Sequence, residues 1–170
     1  MRSRAESGLA PRFSTVALVA LLAVDGVEFC LATTHLKAKP GFEERRARQA
    51  AELLEIVGEV AAERPVVLAG DFNDIPDSPA CELIRSHRLG LRSAYLDALG
   101  REPDWTTWKI RAAEGEVRRT IDYIWYRGLE LKGVLSIPPD AQVESVRLPS
   151  WQYPSDHLSL MATFLGEKTS

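Results

Sequence analysis

Two apolar runs, Val16–Val24 and Val27–Thr33, are separated only by Asp25-Gly26. Asp-Gly between alternating or apolar runs is a strong hairpin signal, because a two-residue turn needs left-handed backbone that glycine adopts freely and aspartate accepts. The chain is thereby committed to paired strands near its start. Arg2 and Arg4 ahead of the first run imitate a signal peptide. The run instead continues through the turn into a second strand, and about nine apolar residues are too few to cross a bilayer. No membrane association is expected.

Pro40-Gly41 marks a turn, and a helix is expected from about Phe42 to Ala62, with Ala47, Ala50, Leu54, Val57 and Ala61 on one face. Glu43, Glu44, Arg45, Arg46 and Arg48 are read as its solvated side. Val66–Ala69 reads as a short strand buried on both faces. Ser78 is a natural N-cap with Pro79 at the first helical position, which predicts a helix to about Ser86. Later strands are expected at Thr106–Ile110, Thr120–Tyr126, Leu129–Ile137 and His157–Phe164, the last two separated by a proline-rich loop. Many strands and few helices imply an α+β layered domain. Residues 1–14 read as a disordered lead-in of mixed charge, 15–166 as one domain and 167–170 as a tail.

The 170 residues suffice for one ordinary domain, and 45% apolar with 26% charged residues describes a globular chain. A net charge of -3 supplies no field that would gather a polyanion, so any such ligand needs a local basic cluster. Cys30 and Cys81 are expected to be reduced packing residues, which favours an intracellular compartment. There is no glycine-rich phosphate loop and no internal repeat.

Three strand ends carry chemistry. In Gly70-Asp71-Phe72-Asn73 a carboxylate and an amide stand at i and i+2, on the same side if the segment is extended. Asp71 could orient or deprotonate a water, and Asn73 could donate to the oxygens of a developing phosphorane. Ser155-Asp156-His157 places a histidine beside an acid. Asp122, inside the apolar strand Thr120–Tyr126, needs a partner and is the candidate to hold that imidazole. In Thr34-His35-Leu36-Lys37-Ala38-Lys39 an imidazole and two ammonium groups alternate, forming an anion site if the strand runs on. Arg111 follows Thr106-Thr107-Trp108-Lys109-Ile110 as a further basic residue, and His87 at a helix end is read as a surface residue.

In order and spacing these runs, together with Arg147-Leu148-Pro149 and Tyr153–Leu160, resemble the endonuclease/exonuclease/phosphatase superfamily, in its carbon catabolite repressor deadenylase-like branch. The resemblance covers about Val16 to Phe164. It implies an α/β layered sandwich of the deoxyribonuclease I-like type, present as an incomplete C-terminal portion. It also implies phosphoester hydrolysis assisted by Mg(2+). Within that branch the expected activity is removal of the 2′-phosphate of NADP(H), with trimming of poly(A) RNA as the alternative and a non-catalytic nucleotide- or partner-binding fragment as another.

By the resemblance, Asp71 positions or activates the water with Asn73 on the phosphate, and His157 contacts the scissile phosphate with Asp122 holding its ring. His35 is a further phosphate contact, Asp156 lies at or near the metal, and Lys37, Lys39 and Arg111 surround a dinucleotide phosphate. Leu36, Ala38 and Phe72 lie among the substrate-binding positions. The family's principal metal-binding Glu has no counterpart upstream of His35, since Glu6 lies in the lead-in and Glu28 on the hairpin. The chain alone is therefore expected to bind magnesium poorly, to be nearly inactive, and to leave an apolar sheet face for a partner to cover. A cytoplasmic or mitochondrial location is expected.

Overall fold

The computed structural model describes residues 17–167. Residues 1–16, which include the lead-in 1–14 and Val16, and residues 168–170 lie outside the described residues. The opening hairpin forms as β1 (Ala17–Val24) and β2 (Val27–His35), with Asp25 and Gly26 both at positive φ in the turn. A crossover through α1 (Glu43–Ala61) leads to β3 (Val66–Asp71), which pairs parallel with β2. A parallel pair requires such a crossover, and α1 supplies it while covering one face of the sheet.

Ser78 caps α2 (Pro79–Ser86) through its hydroxyl, which accepts from the Cys81 amide. Next come β4 (Arg92–Ser93) and α3 (Ala94–Leu99), then a hairpin of β5 (Thr107–Arg111) and β6 (Gly115–Arg119). The strands β7 (Asp122–Arg127), β8 (Glu130–Val134) and β9 (Ala162–Leu165) complete the set. The main sheet has the order β1-β2-β3-β7-β4, and β8 and β9 form a separate antiparallel pair. This layered α/β arrangement is the class expected from the sequence.

Cores lie on both faces of the main sheet. Cys30, Ala32, Val66, Leu68 and Trp125 point toward α1 and α2 and pack with Leu54, Val57 and Ile84. Alternate residues of the same strands, Val67, Ala69, Ile124 and Tyr126, point the other way and pack against β8 and β9.

Several expectations are corrected. The strand expected at His157–Phe164 is only Ala162–Leu165, with His157 in a loop bridged to Thr107. The strand expected at Leu129–Ile137 stops at Val134. Strands β4 and β6 and helix α3 were not anticipated. In β6 only Val117 is buried, and the strand is held from outside by the Arg118 guanidinium, 4.5 Å from the Trp108 ring centroid. Arg46, read as solvated, is buried, and His87 is largely covered and pairs with Glu55 of α1.

Candidate active site

β2, β3 and β7 end side by side, and their register sets His35 opposite Asp71 and Asp71 opposite Asp122. Directly opposed residues share a face, so the three side chains form a row on the face away from α1. His35 Nε2 lies 3.4 Å from Asp71 Oδ2. Gly70 allows the approach of β2 and β3 at this row, because a Cβ there would sit 2.0 Å from the Thr34 carbonyl oxygen.

His157 reaches the row from a loop that β5 and the residue before it hold in place. Thr107 bridges His157, the Leu158 amide donates to the Thr106 carbonyl at 2.8 Å, and the Thr107 hydroxyl donates to the Asp156 carbonyl at 2.7 Å. The His157 Nδ1 lies 3.1 and 3.0 Å from the two Asp122 oxygens. The Thr106 hydroxyl donates to Asp122 Oδ2 at 2.5 Å and accepts from the Ile121 and Asp122 amides. With Nδ1–H committed to Asp122, Nε2 is the ring nitrogen left to face a ligand.

The electrostatics are those of a pair of acids and a pair of bases in a half-buried recess. Hydrogen bonding to Asp122 raises the His157 pKa, burial opposes this, and the charges of Asp122, Asp71 and Asp156 add to the rise. Burial raises the Asp71 pKa and the Asp122 charge adds to it, against the Asn73 amide and the two histidines. A carboxylate with a raised pKa and a histidine that holds its proton more tightly are suited to general base and electrostatic roles.

Asp71, Asn73, Asp122, His35 and His157 thus come together, though not all as the spacing suggested. Asn73 has φ 51, so it is not extended beside Asp71. Its amide donates to Asp71 Oδ1 at 2.7 Å and its side chain to the Leu36 carbonyl at 3.1 Å, tying β2 to β3. The alternation through Lys37 and Lys39 also breaks, because the strand ends at His35 and Lys39 has φ 85. Lys37 Nζ lies 5.0 Å from the Phe42 ring centroid. The side chains of Leu36 and Phe72 are core residues, so only their backbone could meet a ligand, while Ala38 is exposed. Arg111 pairs with Glu114 at the β5–β6 turn.

Asp156 does not stand free as a metal ligand. Its carboxylate lies 2.6 Å from Lys109 Nζ, and that pairing pulls its pKa down. One oxygen or nitrogen each from Asp71, Asp122 and His157 lie within 4.8 Å of one another. Magnesium, however, prefers oxygen ligands in octahedral array. Here the Asp122 oxygens face the imidazole and Thr106, and the Asp71 oxygens face His35 and the Asn73 amide. This donor set alone does not compose a magnesium site.

Lys109, Thr106 and Arg46 were not singled out from sequence. Lys109 shares a strand face with Thr107, and that alternation was the available signal. Arg46 falls four residues before Ala50, on the phase of the apolar stripe, as Gln49 does before Leu53.

A family model described as Endonuclease/Exonuclease/phosphatase family matches residues 6–157. Human Nocturnin is 44% identical over 146 residues, spanning 82% of this chain and 34% of that protein. The CCR4-Not complex 3′-5′-exoribonuclease subunit Ccr4 of Yarrowia lipolytica is 30% identical over a 200-residue alignment, with 90% of this chain and 28% of that protein covered. The solved human Nocturnin catalytic domain with bound sulfate anion superposes with a TM-score of 0.72 at 35% identity, covering 89% of this chain and 54% of that one. The chain therefore spans about a third of the human relative and about half of its solved catalytic domain.

Proposed function

The chain belongs to the endonuclease/exonuclease/phosphatase family, and from that premise we propose that it hydrolyses a nucleotide phosphoester, the 2′-phosphate of NADP or NADPH. One observation carries the hydrolytic reading: the Asp122-held imidazole of His157 stands beside Asp71 on the His35–Asp71–Asp122 row. In this reading Asp71 takes a proton from water as the water oxygen bonds to phosphorus. The bond from phosphorus to the ribose oxygen breaks and its electron pair leaves with that oxygen. His157 and His35 stabilise the charge on the remaining phosphoryl oxygens.

Lys37 and Lys39, directly past His35, are the cations assigned to the other phosphates of a dinucleotide, with Arg111 as a further contact. This substrate is what the resemblance of the Thr34–Lys39, Gly70–Asn73 and Thr106–Arg111 runs implies. The 30% identity to an exoribonuclease subunit supports poly(A) RNA as the second reading. Magnesium belongs to the proposal as the assisting ion, and the incomplete donor set leads to weak magnesium binding and slow turnover by this chain alone. Both cysteines are free and buried, which supports an intracellular setting, cytoplasmic or mitochondrial. Among the described residues no helix is long and apolar enough to cross a membrane.

The test is single-turnover release of phosphate from NADPH, with magnesium and chain in excess, alongside shortening of oligo(A). Slow phosphate release that falls at least tenfold in Asp71→Ala supports the phosphatase. Shortening of oligo(A) without phosphate release from NADPH transfers the assignment to the exoribonuclease.

A further inference from the structure

Arg46 is the most deeply buried guanidinium near the site, with a side chain 3% exposed, and its partner Asp74 is 6% exposed. Burying a charge is costly unless it is paired and hydrogen-bonded, so the position demands a reason. Its Nη1 donates to the carbonyls of Lys37 at 3.1 Å and Lys39 at 2.9 Å. Its Nη2 donates to Glu43 at 3.1 Å and to Asp74 Oδ1 at 3.3 Å. The Nε lies 2.9 Å from Asp74 Oδ2 as an ion-pair contact.

These partners belong to the two segments that carry the site. Lys37 and Lys39 lie on the loop leaving β2, and Asp74 directly follows the Asp71–Asn73 turn that leaves β3. The same two segments are stitched by the Leu36 amide to the Asp71 carbonyl and by Asn73 to the Leu36 carbonyl. Gln49, one turn along α1 from Arg46, accepts from the Lys37 amide at 3.0 Å. Lys39 meanwhile holds φ 85, a left-handed conformation that a lysine adopts only when its surroundings impose it.

We propose that Arg46 is a positioning residue that sets the basic loop of Lys37 and Lys39 in register with the hydrolytic end of β3. It acts through the backbone of that loop and touches no ligand. The inference rests on the reading of Lys37 and Lys39 as the holders of a nucleotide phosphate. Lysine cannot substitute, because a single ammonium cannot reach two carbonyls and a carboxylate in this fork geometry.

Arg46→Met alone strands the Asp74 charge and threatens the fold. The informative variant is therefore Arg46→Met combined with Asp74→Leu, which replaces the buried pair by apolar groups of similar shape, a change that is often neutral for stability. Binding of NADP and of inorganic phosphate to the 170-residue chain is measured by calorimetry beside thermal unfolding. The expected result is a Tm within about 4 °C of the parent. NADP affinity should fall at least tenfold, with faster amide exchange at Lys37 and Lys39. Equal NADP affinity in the parent and the double variant overturns the role of Arg46. Absence of NADP binding by the parent chain overturns the nucleotide reading itself. If Tm falls sharply and binding falls only in proportion to the unfolded fraction, Arg46 is structural and the inference is wrong.

Discussion

Asp71 sits where the fold does not favour its charge: burial first, then the Asp122 carboxylate, raise its pKa. A group with a folded pKa above its unfolded value contributes stability that is complete below the unfolded pKa and lost as pH rises through the folded one. At neutral pH the ionised Asp71 therefore subtracts from stability. Asp71→Asn is expected to have a higher Tm than the parent at neutral pH and no advantage at about pH 3, where both are uncharged. Its hydrolysis should fall at least tenfold, as for Asp71→Ala, because the general base is removed in both. His157 follows the same sign with the opposite charge. Its pKa is raised above 6.5, chiefly by the Asp122 hydrogen bond, so the stability it draws from that pair is full below 6.5 and disappears as pH climbs through the raised value. The Tm difference between the parent and Asp122→Asn should shrink accordingly in the alkaline direction, and the imidazole resonances of His157 should titrate lower in the variant.

At the scale of elements, the site depends on Gly70, whose φ of 154 would aim any Cβ at the backbone of β2. Gly70→Ala puts a Cβ against the Thr34 carbonyl oxygen, and backbone on both sides leaves little room to relax. A cost of about 3 kcal/mol or more is expected from urea unfolding, larger than for a typical point change. The opening hairpin, α1, β3 and the capped α2 were legible because each is announced locally, by Asp25-Gly26, by helical periodicity, by Val66–Ala69 and by Ser78-Pro79. Asp71, His35, Asp122 and His157 were legible as polar residues at or beside apolar strand runs. Leu158 and Leu160 give the loop carrying His157 the alternation of a strand, but its backbone is held instead by Thr106 and Thr107. Lys109 and Arg46 stayed hidden for a related reason: their partners, Asp156 and Asp74, are distant in sequence.

For the whole molecule, the face that bears the site is only partly covered. β8 and β9 pack over the β3–β7 part of that face. By register Leu18, Leu22 and Val24 of β1 share the same side, and they are 62%, 38% and 54% exposed. Contiguous apolar surface of this kind binds hydrophobic dyes. Leu18→Lys with Leu22→Lys should lower dye fluorescence of the chain, with little change in unfolding midpoint because neither residue is in the core. The hydrolytic assignment stands on the row of His35, Asp71 and Asp122 with His157 set against it, and single-turnover phosphate release from NADPH addresses it most directly. Slow release that falls at least tenfold in both Asp71→Ala and His157→Ala is the expected result. Release that is equal in the parent and both variants would contradict it.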